Sequence, residues 1–191
     1  VAHEFTHSVI DATAGFSYRS ESGALNESIA DVLGKCVEGF ESPIIGQSAG
    51  LEIRNILNPD DCVRVLPGEL PESCAQPIQY SDYQIMPSTE DNGGVHANSG
   101  IMNRALTLAI LGGSPTFTPR PAAAIPFAAL LMDALDHVAF DSESGLEDFA
   151  ASLTAYCLIR ERADQVTSSQ KGLCSGLESS FKSTELLSEP I

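Results

Sequence analysis

The fold class predicted from the sequence is mainly α-helical, and two observations lead to that prediction. Segment 23–40 places Leu25, Ile29 and Leu33 at the spacing of one helix face, as expected for a helix packed on a core. Section 41–95 contains six prolines, so we predict that it is a long irregular section between helices. Further helices are predicted at 1–13, 96–111, 120–139, 145–161 and 164–182.

Local signals support individual helices. In 1–13, two histidines four residues apart project from the same helix face. The apolar stretch Ala122–Leu135 is interrupted by Pro126, which favours a buried helix over a membrane span. Ahead of 145–161 stand three residues suited to cap a helix N-terminus: Asp141, Ser142 and Ser144.

Composition and charge limit the class of protein. With 43% hydrophobic and 19% charged residues, the chain of 191 is predicted to be globular. We expect one helical domain at 1–182, followed by a mobile tail at 183–191 that lacks periodicity. A net charge of −16 argues against nucleic acids and anionic membranes as partners, and it suits an exported, monomeric protein.

The five cysteines are consistent with an oxidising compartment. Cys62 and Cys74 flank a loop rich in Pro, Gly and Glu, and Cys157 and Cys174 lie on neighbouring predicted helices, so these are the expected disulfides. Cys36 is left as a buried thiol. The alternative is that all five cysteines are reduced.

The sequence His3-Glu-Phe-Thr-His7 is the most informative motif. Two imidazoles one helical turn apart can share a Zn²⁺ ion, and Glu4 between them is placed to act on a water bound to that ion. The third ligand is predicted on the next helix, where Glu27 lies beside the apolar face and needs a partner for its charge. Asp31, one turn further, suits a hydrogen bond to a ligating imidazole. The alternatives are a solvated helix face for the histidines and an exposed helix glutamate for Glu27.

Three sequence blocks resemble the thermolysin-like neutral metallopeptidases. The first joins the His-Glu-x-x-His motif to Gly23-Ala-Leu-Asn-Glu-Ser-Ile-Ala-Asp31, with Glu27 twenty positions after His7. The second is Ala14-Gly-Phe-Ser-Tyr18, and the third is Asp91-Asn-Gly-Gly-Val-His96-Ala-Asn-Ser-Gly. The blocks cover 1–38 and 91–104, whereas the rest of the chain matches in helical layout more than in residues.

The resemblance implies a zinc endopeptidase and assigns a role to each site residue. Zinc would be held by His3, His7 and Glu27, and Glu4 would act as general base. His96 and Tyr18 would donate hydrogen bonds to the oxyanion, and Arg54 would hold a substrate carbonyl. Three residues would orient the others: Asp91 for His96, and Asn26 and Asp31 for the ligating histidines.

The resemblance also concerns calcium binding and substrate preference. Glu38 matches a calcium ligand of the family, but the following segment 41–48 offers few hard oxygen ligands, so Ca²⁺ is only a candidate. Ile45-Gly46 and Ile53 are expected to favour a hydrophobic residue just after the cleaved bond.

Family members carry a β-rich N-terminal domain ahead of the motif helix, so that domain is an expected partner, and we expect little activity from residues 1–191 alone. Two other interpretations remain: a catalytically silent zinc-binding helical module, and a zinc aminopeptidase. The presence of Glu4, His96 and Tyr18 favours catalysis over the silent module.

Overall fold

The computed structural model describes residues 1–50, 52–63 and 74–188. Within these ranges it contains six α-helices, numbered here in chain order: α1 (Ala2–Ala12), α2 (Ser20–Val37), α3 (Asp91–Ile110), α4 (Pro121–His137), α5 (Leu146–Arg162) and α6 (Ser168–Ser183). Each predicted helix is present, with the largest boundary differences at the starts of α3 and α6. The mainly α-helical fold class is therefore confirmed.

Helix α2 is the centre of the domain. It packs against α1, α3, α4 and α5, and every residue from Ser22 to Cys36 is buried. The apolar stripe predicted one core-facing side, but neighbouring elements surround this helix. Polar residues of α2 are therefore enclosed as well, including Glu27, Asp31 and Lys35. Because burying charges without partners is costly, each of these residues has a charged or polar neighbour described below.

The described part of section 41–95 is largely irregular, as predicted, and contains a two-stranded antiparallel sheet. Strand β1 (Ile44–Ile45) pairs with β2 (Arg54–Asn55), with Ile45 opposite Arg54. The pairing places this section beside α2, where Arg54 contacts the carboxylates of that helix. Residues 51 and 64–73, including two of the six prolines, lie outside the described residues.

The expected pairing of the cysteines is present. Cys62 is bonded to Cys74 and Cys157 to Cys174, with Cα atoms 5.4 and 5.5 Å apart. The second disulfide joins α5 to α6. Cys36 is a buried free thiol, as expected, and burial raises its pKa to about 12. The thiol is therefore protonated at neutral pH.

The predicted capping of α5 is wrong. The helix follows Gly145, and the amide of Leu146 donates to Glu21 Oε2 of α2 at 2.9 Å. Ser144 instead accepts a hydrogen bond from the Asp141 amide within the preceding turn. A carboxylate from another helix, that of Glu21, thus caps the N-terminus of α5 in place of the predicted local residues.

The described part of the predicted tail, 183–188, is packed rather than free. Thr184 and Leu186 are buried, and the Thr184 carbonyl accepts a hydrogen bond from the Tyr80 amide at 2.9 Å. Leu186 belongs to the hydrophobic core, which compensates for ordering this segment. Residues 189–191 lie outside the described part of the chain.

None of the helices in the described ranges combines the length and the apolar character needed to cross a bilayer.

Candidate active site

Helix α1 presents both motif histidines on one side. His3 and His7 are one turn apart, and their Nε2 atoms lie 3.1 Å from each other. The neighbouring Thr6 and Ile10 are buried against the domain, while Phe5 is exposed. The amphipathic register of α1 therefore holds the two imidazoles along the edge between the core and the surface.

Glu27 of α2 completes the cluster. Its carboxylate oxygens lie 3.7 Å from His3 Nε2 and 3.5 Å from His7 Nε2. One potential ligand atom from each of the three residues falls within 4.8 Å of the others. Two imidazole nitrogens and one carboxylate oxygen form a donor set typical of catalytic zinc, so the chemistry of the cluster fits that ion.

Polar neighbours fix the orientation of both imidazoles. His7 Nδ1 lies 2.7 Å from Asn26 Oδ1, and His3 Nδ1 lies 2.9 Å from Asp31 Oδ1. Each contact engages the ring nitrogen that faces away from the cluster, which leaves Nε2 directed toward Glu27. Burial lowers the pKa of His3, but the facing Asp31 and Glu27 carboxylates outweigh it, so the pKa is raised overall.

Arg54 lies behind the cluster and pairs with two carboxylates. Its Nε and Nη2 donate to Asp31 at 2.6 and 2.8 Å, and Nη2 also donates to Glu27 at 3.1 Å. Asn103 of α3 adds a hydrogen bond to Asp31 at 2.9 Å. Although burial opposes its charge, Asp31 is kept ionised because Arg54 and His3 hold its pKa well below the usual range.

Tyr18 and His96 approach the cluster from the other side. The Tyr18 hydroxyl donates to Glu27 Oε1 and lies 3.3 Å from His96 Nε2. His96 Nε2 itself lies 3.5 Å from the same Glu27 oxygen. Burial, followed by the bond to Glu27, raises the pKa of Tyr18, so its hydroxyl stays protonated and able to donate at neutral pH. The two predicted oxyanion donors are thus beside the predicted metal ligands.

A left-handed turn brings His96 to this position. Residues 91–94 all have positive φ, from 47° at Asp91 to 88° at Gly94, so the regular part of α3 begins after this turn. Asp91 Oδ1 lies 2.5 Å from His96 Nδ1, and its Oδ2 accepts the amides of His96 and Ala97 at 2.9 and 3.0 Å. One carboxylate therefore caps the first turn and orients the imidazole.

The remaining predicted site residues line a cleft of about 420 Å³ in front of the cluster. Glu4 is exposed at one side of it, and Arg54 and His96 also contribute to its surface. Ile45 and Ile53, from the strands and the loop between them, supply apolar surface. Every residue assigned a catalytic or metal-binding role is therefore at or beside one cleft.

The candidate calcium ligand is engaged by a different cation. Glu38 accepts a hydrogen bond from the buried Lys35 ammonium at 2.8 Å and one from Ser48 at 3.2 Å. The ammonium also donates to the Ile44 carbonyl at 3.3 Å. Lys35 is the main reason that the pKa of Glu38 is lowered. This pair was missed in the sequence, although the i, i+3 spacing of the two residues could have indicated it.

Two imidazoles and a carboxylate converging on one point of a helical domain are typical of metal-dependent hydrolases. A family model described as "Thermolysin metallopeptidase, alpha-helical domain" matches residues 14–169. The chain belongs to the thermolysin metallopeptidase family and contains its α-helical domain.

Individual relatives agree with this family. Bacillolysin from Bacillus caldolyticus is 40% identical over 113 residues, which cover 59% of this chain and 20% of that protein. Gelatinase from Enterococcus faecalis is 43% identical over 109 residues, covering 54% of this chain and 20% of that protein. The matched part of the chain thus spans about a fifth of the length of these curated relatives.

A solved structure is similar over most of the chain. The precursor of protealysin, a metalloproteinase from Serratia proteamaculans, aligns with a TM-score of 0.67 and 26% identity. The alignment covers 93% of this chain and 55% of the protealysin precursor. The helical arrangement described above is therefore shared with that metalloproteinase.

Proposed function

We propose that the protein containing this chain is a zinc-dependent endopeptidase. The observation on which this rests is the convergence of His3, His7 and Glu27 beside Tyr18 and His96, in a cleft that also contains Glu4. A module that only stored or bound zinc would not require a general base or hydrogen-bond donors beside the ion. These additional groups support hydrolysis over the silent module.

In this proposal His3, His7 and Glu27 hold zinc, while Asn26 and Asp31 keep the two imidazoles oriented. Zinc at this position supplies Lewis acidity and makes a water molecule more acidic. Glu4 accepts the proton of the attacking water and passes it to the leaving amine.

Tyr18 and His96 donate hydrogen bonds to the substrate oxygen that becomes negative during attack. Asp91 contacts Nδ1 of the His96 imidazole, so that Nε2 faces that oxygen. The hydrogen bond from Tyr18 to Glu27 shows that the hydroxyl reaches the cluster, and a bound substrate would compete for it.

We propose that Arg54 binds substrate through a guanidinium that two carboxylates hold in place. Two of its nitrogens are held by Asp31 and Glu27, which fixes the plane of the guanidinium at the cleft. The guanidinium is thus held in place to contact a substrate carbonyl. Ile45 and Ile53 support a preference for a hydrophobic residue after the cleaved bond, which a peptide library with every residue at that position would measure.

We do not extend the proposal to calcium at Glu38. The Lys35 ammonium occupies the hydrogen-bonding position on that carboxylate, and calcium needs six to eight oxygen ligands. Equilibrium dialysis against Ca²⁺ tests this point, and an ion bound with loss on Glu38→Gln would restore the family expectation.

The proposal also covers the localisation, the oligomeric state and the further domain of the enzyme. We infer a secreted, monomeric peptidase that uses a further β-rich domain for substrate binding, since one relative is named an extracellular elastase and the relatives are much longer. Residues 1–191 alone should therefore show little turnover, and cleavage by the isolated chain at the rate of the full-length protein would contradict this.

Zinc analysis combined with one substitution tests the proposal. Full-length protein should contain one zinc and cleave N-terminally blocked peptides, and Glu4→Gln should keep the zinc but lose about 10²-fold or more of the activity. Glu41→Gln, at an exposed glutamate outside the cleft, is the matched control. Zinc without cleavage by wild type would favour the silent module, and cleavage restricted to unblocked peptides would favour an aminopeptidase.

A further inference from the structure

The main chain of His96 is held by a residue from the irregular section. Gln76 Nε2 donates to the His96 carbonyl at 2.5 Å and lies 3.3 Å from the Ser99 hydroxyl. The Ser99 hydroxyl also donates to the His96 carbonyl, at 2.8 Å. The first turn of the regular helix is therefore tied from outside to Gln76, at the residue whose imidazole faces the cluster.

Gln76 is itself fixed on a braced segment. The backbone N–H of Gln76 donates to the Pro59 carbonyl at 2.9 Å. This hydrogen bond joins the segments on either side of the Cys62–Cys74 disulfide. Cys74 is two residues before Gln76, and its Cα lies 5.4 Å from that of Cys62. The disulfide and the backbone hydrogen bond together limit how far Gln76 can move from Pro59.

The contact between this segment and α3 is close because of Gly100. A Cβ atom built on Gly100 would lie 2.7 Å from Gln76 Cβ, 2.7 Å from the Pro77 carbonyl oxygen and 2.9 Å from Pro59 Cβ. These distances are shorter than ordinary contacts between heavy atoms, so only glycine allows the approach. Residues on both sides of the disulfide thus pack directly on the turn that follows His96.

We propose that Gln76 is a positioning residue for His96 and that the Cys62–Cys74 disulfide holds Gln76 in place. The inference depends on the proposed function, since it concerns a group assigned to stabilise the oxyanion. The left-handed turn at 91–94 fixes the imidazole from one side only, through Asp91. Gln76 supplies the second restraint, so that His96 Nε2 stays near Tyr18 and Glu27 without substrate.

Gln76→Met tests the proposal, because methionine keeps the length of the side chain but lacks the amide donor. In the zinc-loaded full-length protein we expect kcat to fall about tenfold with little change in KM or zinc content. Gln84→Met, at an exposed glutamine of the same section, is the control and should match wild type. Gln76→Asn, which shortens the reach by one methylene, should lower kcat in the same direction.

A second measurement separates this inference from the proposed function. Hydrogen–deuterium exchange of the amides at 96–100 should be faster in Gln76→Met and in the Cys62→Ser/Cys74→Ser double variant than in Gln84→Met. Faster exchange in these variants supports the restraint even if wild-type protein hydrolyses no peptide, which would overturn the proposed function alone. Equal kcat and equal exchange in Gln76→Met and Gln84→Met would overturn the inference, as would an increase in KM with unchanged kcat.

Discussion

The two halves of the candidate site are built differently. In the metal half, which consists of His3, His7, Glu27 and Asp31, the proposed zinc ligands come from α1 and α2. Glu27 and Asp31 are almost completely buried among paired charges. In the donor half, which consists of Tyr18 and His96, the His96 side chain has half of its surface exposed. The position of His96 depends on the left-handed turn at 91–94 and on the contact with Gln76. Helices thus hold the proposed zinc ligands, whereas His96 is held where irregular backbone joins a helix.

This difference indicates in which half the loss of a side chain should mainly lower stability and in which it should mainly lower catalysis. Removing a charge from the metal half leaves a partner unpaired in a place that water does not reach, which is costly for stability. Removing a group from the donor half leaves an exposed surface that water can fill.

The largest effect is expected from Asp31→Asn. The amide cannot balance the Arg54 guanidinium and His3, so the free energy of unfolding should fall by about 3–5 kcal/mol. Urea unfolding monitored by circular dichroism measures it. Asp11→Asn, at an exposed aspartate of α1, is the control and should change stability little. An equal loss of stability in both variants would contradict the claim that burial of the Asp31–Arg54 pair makes its loss costly.

His96→Ala should reduce catalysis without removing zinc. Loss of one oxyanion donor is expected to lower kcat by about 10²–10³-fold, while zinc content and the unfolding midpoint stay close to wild type. His137→Ala, at an exposed histidine at the end of α4, provides the control. Loss of zinc in His96→Ala would mean that the two halves are not separable.

Gly93→Ala tests the left-handed turn. The residue has φ of +85°, and a Cβ would lie 2.7 Å from Ser20 Oγ, so we expect a loss of about 1–3 kcal/mol together with reduced kcat. Gly112→Ala shares a positive φ, +68°, but meets nothing within 4 Å. The control therefore reports backbone strain alone, and equal effects of both substitutions would contradict a steric role for Ser20.

The smallest effect is expected from the pH dependence of Asp91. Partial burial opposes its charge, but the bonds from His96 and the Ala97 amide lower its pKa. Because the folded-state pKa of Asp91 lies below the unfolded value of about 3.9, the ionised carboxylate stabilises the folded protein above about pH 3.9. This stabilisation is lost as the pH falls through the folded-state pKa. Asp91→Asn should therefore cost roughly 1 kcal/mol at pH 7 and progressively less below pH 4. A difference that does not change between pH 7 and pH 3 would contradict this assignment.

The sequence predicted the helices and the proximity of His3, His7 and Glu27, because the signals for both are local. Imidazoles four residues apart share a helix face wherever that helix packs, and the apolar spacing of α2 indicated its core face. The grouping of Tyr18 and His96 with the cluster was predicted through the family blocks. Spacing alone did not indicate it, because 78 residues separate these two side chains.

Most of the features that the sequence did not predict are tertiary contacts between separate elements. The capping of α5 by Glu21 and the contact of Gln76 with His96 join residues distant in the chain. Packing of the tail through Leu186 likewise required the finished core. The carboxyl partner of Lys35 was not predicted, because the family pattern assigns Glu38 to calcium.

The most direct test of the account is an anomalous difference map from crystals of the zinc-loaded protein, with data collected on both sides of the zinc absorption edge. The account predicts one peak between His3 Nε2, His7 Nε2 and the Glu27 carboxylate, which His7→Ala removes. A zinc peak elsewhere, or an unchanged peak in His7→Ala, would contradict it.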